Sequence, residues 1–169
     1  MEIVENNTTK KTNDAKVAKL EAKFEKAQKA FETQEYTMEV TKDSMTFLLT
    51  DFATNLKFKG YSSYGITEVY NALETLKEDK KTESFKGKFK KEYVEALFHF
   101  IREFEGTGLK TAKSHRALSD EVAPVMQKVN QNMQNFKDLA TELEAAKQGV
   151  EPEELVRAMQ AAQSQQGPQ

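Results

Sequence analysis

The residues best suited to acid–base or metal chemistry are two histidines, His99 and His115, because the chain contains no cysteine. On a helix, His99 would share a face with Glu92, Glu95 and Glu103. Such a face holds a divalent cation weakly, and no second histidine or cysteine completes a usual ligand set. A solvated charged face is the expected reading. Ser114 and His115 are neighbours, yet adjacent helical residues point about 100° apart, and no G-x-S-x-G elbow surrounds the serine. The run EGTGLKT at 105–111 lacks the spacing of a phosphate-binding loop and follows no strand, so it reads as a turn between helices. The Glu-x-x-His pairing of helical di-iron sites does not occur. These observations give the expectation of a non-enzymatic protein with no catalytic, cofactor-binding or metal residues.

A second kind of chemistry is electrostatic. Lys77, Lys80, Lys81, Lys86, Lys88, Lys90 and Lys91 outnumber Glu78, Asp79 and Glu83, leaving a local charge of +4 interleaved with Phe85 and Phe89. Lysines beside aromatic rings can follow a nucleic-acid backbone and stack bases, which makes Lys80, Lys81, Phe85, Lys86, Lys88, Phe89, Lys90 and Lys91 a candidate nucleic-acid patch. The preferred alternative is a solvated segment whose phenylalanines enter the core. Arg102, Arg116 and Arg157 are the chain's three arginines, too few for bidentate reading of base edges. The formal net charge of -2 provides no global field. Between Asp138 and Glu154, six acids face one lysine, Lys147. The basic middle could therefore meet the acidic tail within one subunit or between neighbours.

Positioning either surface falls to helices. Residues 1–12 are polar and read as a flexible arm. From Asn13 or Asp14 to about residue 34, Val17, Leu20, Phe24, Ala27 and Phe31 form a heptad stripe. Helices are then expected at 43–57 (Met45, Leu48, Leu49, Phe52, Leu56), 66–77 (Ile66, Val69, Tyr70, Leu73, Leu76) and 90–105, with a loop at 57–65. The 90–105 helix has the widest apolar face and should centre the core, with Gly106 as its C′ residue. A segment at 109–118 precedes a long helix at 120–147, capped by Ser119 or Asp120 and carrying Pro124 within its first turn or so. Its seam is Val122, Met126, Val129, Met133, Phe136, Ala140 and Leu143. Asn130, Asn132 and Asn135 flank this seam and could fix register if partly buried. Gly149 and Pro152 end the long helix and begin a short one, after which the tail should fray.

Two stretches, 36–41 and 84–90, stay open to a minor β hairpin or short strands, with Gly87 weakening the second. The fold class is thus all-α, a compact helical core flanked by long amphipathic, coiled-coil-like terminal helices. Its domains are an arm at 1–12, a helical domain at 13–148, and a short helix with polar tail at 149–169. Narrow stripes need partner helices, so the seam residues Val17, Leu20, Phe24, Phe31, Val122, Met126, Val129, Met133, Phe136 and Leu143 mark a candidate association surface. The expected function is a self-associating assembly or structural protein, with a homo-oligomer or other assembly proteins as partners. Its alternative is a nucleic-acid accessory protein. Neither a secretory signal nor an apolar run of membrane-spanning length is seen, which makes cytoplasmic residence the default. The lysine-, Asn- and Gln-rich composition without Trp also suits an AT-rich phage genome, which would place the protein in a virion or host cell.

Overall fold

The computed structural model describes the backbone of residues 2–57 and 60–165 and the side chains of residues 13–57 and 63–162. It is 76% helix, with a small three-stranded antiparallel sheet. In chain order the elements are α1 (Glu2–Thr33), β1 (Glu35–Thr41), α2 (Lys42–Phe47), a π-helical turn (Leu48–Phe52), α3 (Ala53–Asn55), α4 (Gly60–Leu73), β2 (Lys77–Asp79), β3 (Ser84–Lys90), α5 (Lys91–Glu103), α6 (Leu109–Gln148) and α7 (Pro152–Gln165). The chain divides into two compact units, one formed by residues 33–131 and the other by residues 1–32 with 132–169.

The 33–131 unit holds the sheet and the deeper core. β1 alternates strictly, with Tyr36, Met38 and Val40 buried and Glu35, Thr37, Glu39 and Thr41 exposed. That pattern fits a strand with one covered face. Its partner is β3, whose Phe89, Gly87 and Phe85 stand opposite Tyr36, Met38 and Val40. Gly87 does not disrupt this strand. A Cβ there would lie 2.5 Å from Leu76 Cδ2 and 3.3 Å from a Phe89 ring carbon, so a larger residue would have to displace the Leu76 methyl group. The charged run after α4 supplies β2, which pairs with the start of β3. The intervening turn is held by Lys81 N and Thr82 N, which donate to Asp79 Oδ1 and Asp79 O, and it passes through Glu83 in the left-handed region (φ 51°).

Thr41 caps α2, its Oγ1 accepting from Ser44 N. The single helix expected over 43–57 is interrupted by the π-helical turn. That turn buries both Leu48 and Phe52 while Leu49, assigned from sequence to the apolar face, is 53% exposed. Such turns carry an extra residue within a helix and shift the face that follows. The Tyr70 hydroxyl donates to Leu48 O at 2.5 Å and so ties α4 to the turn. Burial raises the Tyr70 pKa to about 12. Tyr70→Phe is expected to lower stability by about 1 kcal/mol in chemical denaturation. Because the folded group titrates above its unfolded value, its contribution is full below pH ~10 and fades as pH rises towards ~12. The curves of the wild type and the Tyr70→Phe variant should therefore converge across that window, and a constant gap would contradict the hydrogen bond.

α4 starts at Gly60, earlier than the expected 66, which shortens the 57–65 loop; residues 58 and 59 lie outside the described residues. α5 forms nearly as expected and buries Val94, Leu97, Phe100 and Ile101. Its end departs from expectation. The cap is Phe104 in extended conformation, and the left-handed glycine is Gly108 (φ 89°) rather than Gly106. The segments expected at 109–118 and 120–147 are one helix, α6, so neither Ser119 nor Asp120 is a cap and Pro124 lies in the helix interior. An interior proline costs about 3 kcal/mol. Burial of Leu118, Val122, Val125 and Val129 on both sides offsets it at about 1.5–3 kcal/mol each.

In the other unit, α1 is helical from Glu2, so the segment read as an arm is part of that helix; once nucleated, a helix adds a hydrogen bond for each further residue. Leu20, Leu139, Leu143 and Ala146 form its core, with Val17, Phe24 and Ala27 packed against them. The pairing is antiparallel. Asn13 Nδ2 donates to Ala146 O at 3.3 Å and Lys147 pairs with Glu21 at 2.9 Å, whereas Phe24 and Phe31 meet Phe136. α6 ends in paired reverse bonds, Gly149 N to Ala146 O and Val150 N to Ala145 O, with Gly149 left-handed (φ 70°). The tail expected to fray, residues 160–169, is helical as far as Gln165, and residues 166–169 lie outside the described residues.

Candidate functional site

The ten residues of the candidate association seam are shared between two cores. Val122 and Val129 are buried in the core of the 33–131 unit and Met126 packs against it. Leu20 and Leu143 belong to the other core, with Val17 and Phe24 against it, while Phe31 and Phe136 join through ring stacking. Met133 is half-buried. A seam continuous in sequence along α6 is thus divided between two cores, near the change of unit at residues 131 and 132. The partner required by the stripe of α1 is the second half of α6 in the same chain. Of the flanking amides, Asn130 and Asn135 are exposed and Asn132 is half-buried.

This second core is shallow. Its largest aliphatic members, Leu20, Leu139 and Leu143, keep 8–9% exposure, whereas Met38, Leu48 and Phe52 of the first core keep 0–1%. Phe24, Phe31 and Phe136 are half-buried. On α7, Leu155 is buried but Val156 and Met159 are 38% and 56% exposed, and the preceding Val150 is 37% exposed. The sequence reading passed over these α7 residues. Their signal was the helical spacing of Leu155, Val156, Met159 and Ala162 between the acidic start of α7 and its Gln-rich end.

The lysine-rich segment becomes β2, its turn and β3, so its lysines and rings separate by strand alternation. Phe85 and Phe89 share the inward face with Gly87. Phe89 is 2% exposed and Phe85 packs against the core. Lys86, Lys88 and Lys90 alternate onto the exposed face, opposite Glu39, Thr37 and Glu35 of β1. Base stacking on Phe89 beside these lysines is closed off in this arrangement. Lys86 lies between carboxylates, 3.1 Å from Glu39 and 3.8 Å from Asp79. Hydrogen bonds from Ser84 and Lys86 hold the Glu39 carboxyl below its ordinary pKa, so any stability it adds is present above that ordinary value and lost as pH falls through the folded one. Lys91 is paired with Glu92 at 3.9 Å, and Lys80 and Lys81 are exposed in the turn.

His99 is exposed on α5 and meets the edge of Phe100, with ring centroids 5.7 Å apart. His115 has a structural setting that the sequence reading missed. Its Nε2 lies 2.7 Å from Ile101 O, a carbonyl in the last turn of α5, and its ring stacks on Phe104. With a proton on Nε2 the ring donates to a carbonyl of the helix end that would otherwise lack an intrahelical partner. Among the described residues, no group of three or more His, Cys, Asp or Glu is placed to hold a metal ion, and no helix is long and apolar enough to cross a membrane. Comparison with protein-family models, curated proteins and solved structures yields no match.

Proposed function

We propose that the protein is a non-enzymatic assembly protein that self-associates through its amphipathic helices α1, α6 and α7. The observation carrying this reading is the open apolar surface on α7, Val156 and Met159, in a unit whose own core is shallow. A two-helix pair with one short added helix has little second layer against which to bury its seam. A further copy laid on this unit would remove the remaining surface from water at about 25 cal/mol per Å². Since the stripes of α1 and α6 already face each other within the chain, association would use the outer side of that pair and α7, rather than an exchange of the seams.

Sedimentation at micromolar concentration is expected to report an oligomer. The double change Val156→Lys and Met159→Lys should weaken it at least about tenfold, the effect of losing ~1.4 kcal/mol, with helix content unchanged. A wild-type monomer under these conditions would overturn the reading.

A further inference from the structure

From the open edge of the sheet, an observation independent of α7, we infer that β1 pairs antiparallel with β1 of a second copy about a two-fold axis at Met38. The strand order β1-β3-β2 makes β1 an edge strand. Lys42 N donates to Glu83 O just beyond the ladder. Hydrogen-bonded pairs alternate along an antiparallel ladder, so Val40, Met38 and Tyr36 bond to β3 while Thr41, Glu39, Thr37 and Glu35 direct their backbone groups to the other side. Thr41 obeys this parity: its N–H donates to the Glu121 carboxylate at 3.0 Å. Among the described residues, nothing bonds the outward backbone groups of Thr37 and Glu39, and both residues are exposed. Of the common protections of an edge, charge is present in Glu35 and Glu39, but others are missing. β1 contains no proline, lysine or bulge, and its register with β3 is continuous over all seven residues.

The composition of β1 selects the occupant and the register. Paired with itself about Met38, the segment EYTMEVT sets Glu35 opposite Thr41, Tyr36 opposite Val40, and Thr37 opposite Glu39. Among the β1 residues no like charges oppose each other, and the apolar residues continue on one face across the axis; at each end Glu121 already holds the outward N–H of Thr41, so the new ladder bonds fall on Thr37 and Glu39. Moving the axis to Thr37, a register shift of two residues, keeps the faces but would set Glu35 against Glu39, whereas a register shift of one residue reverses the faces. In the Met38 register the pairs Thr37 with Glu39 and Glu39 with Thr37 exchange reciprocal N–H···O bonds using the groups left open in one chain.

The test is sedimentation equilibrium on the full chain with three changes at Thr37. Thr37→Pro removes an outward N–H without taking a bond from β3 and should abolish the β1 pairing. Thr37→Glu adds two symmetric like-charge contacts with Glu39 and should weaken the dimer roughly 2- to 30-fold, while Thr37→Lys should tighten it over a similar range. Within one chain residue 37 stands opposite Lys88, so the two charge changes act on that cross-strand pair in the reverse sense. A weaker dimer in Thr37→Glu thus cannot come from unfolding. A monomeric wild type, or a dimer indifferent to all three changes, overturns the inference. A dimer indifferent to Thr37 but broken by the α7 lysines would leave the helix-mediated reading standing, and the opposite pattern would leave only the β1 interface.

Discussion

Phe52→Ala is expected to lower the stability of the 33–131 unit by about 3–5 kcal/mol, the range for truncating a buried phenylalanine. Phe52 is 1% exposed and closes the π-helical turn. Its ring stacks on Phe104 at 5.0 Å and meets the edge of Phe47 at 5.9 Å, and Phe104 in turn stacks on His115. Removing Phe52 therefore loosens more than one contact. Phe104, the extended cap of α5, loses the ring on one side, and His115, which reaches Ile101 O, is held by a less fixed neighbour. Aromatic pairs add about 0.5–1.5 kcal/mol beyond their area, which favours the upper part of the range. Leu49→Ala, three residues earlier and 53% exposed, is the matched control and should cost under about 1 kcal/mol. Urea denaturation of both variants provides the comparison. Similar losses would mean that the π-helical turn does not set which face of the segment enters the core.

The contrast between Phe52 and Leu49 illustrates what a periodic reading can and cannot find. α5 was legible because its apolar residues cover so much of the helix that a boundary error of one or two positions leaves Val94, Leu97, Phe100 and Ile101 inside. Leu49 was misplaced because one extra residue in a turn changes the phase of everything around it, and side-chain type does not encode that residue. β1 presented strict alternation, but over a run too short to separate strand from helix. The deciding partner, β3, lies more than forty residues away and carries a glycine whose crowding becomes visible only with Leu76 in place. Had 84–90 been accepted as a strand, its alternation would already have separated Phe85 and Phe89 from Lys86, Lys88 and Lys90, removing the combined stacking patch. The merged helix α6 is a further case. Pro124 is a local stop signal overridden by the burial of valines on both sides. The division of the α6 seam between two cores has no sequence mark, because each core accepts the same apolar residues at the same spacing.

The stacked rings of α1 and α6 give the second large effect. Phe136 stands 5.1 Å from both Phe24 and Phe31, which are one heptad apart on α1, and lies nearly parallel to Phe31, at 3°. Phe136→Ala removes both ring pairs at once, each worth about 0.5–1.5 kcal/mol beyond area. Adding the transfer term for a half-buried ring gives about 2–4 kcal/mol, a range that begins below that for a fully buried phenylalanine. Gln134 is exposed and donates to Asp138 Oδ1 at 2.7 Å, so Gln134→Ala should cost about 0.5 kcal/mol or less. Thermal denaturation followed by circular dichroism and sedimentation should show Phe136→Ala losing helix at a lower temperature than Gln134→Ala. Because the three rings meet within one chain, that loss should persist at protein concentrations low enough to dissociate any oligomer. A Phe136→Ala protein that keeps its helix content while its oligomer shrinks would instead place the ring stack between chains, and equal behaviour of the two variants would mean that Phe136 does not hold α1 to α6.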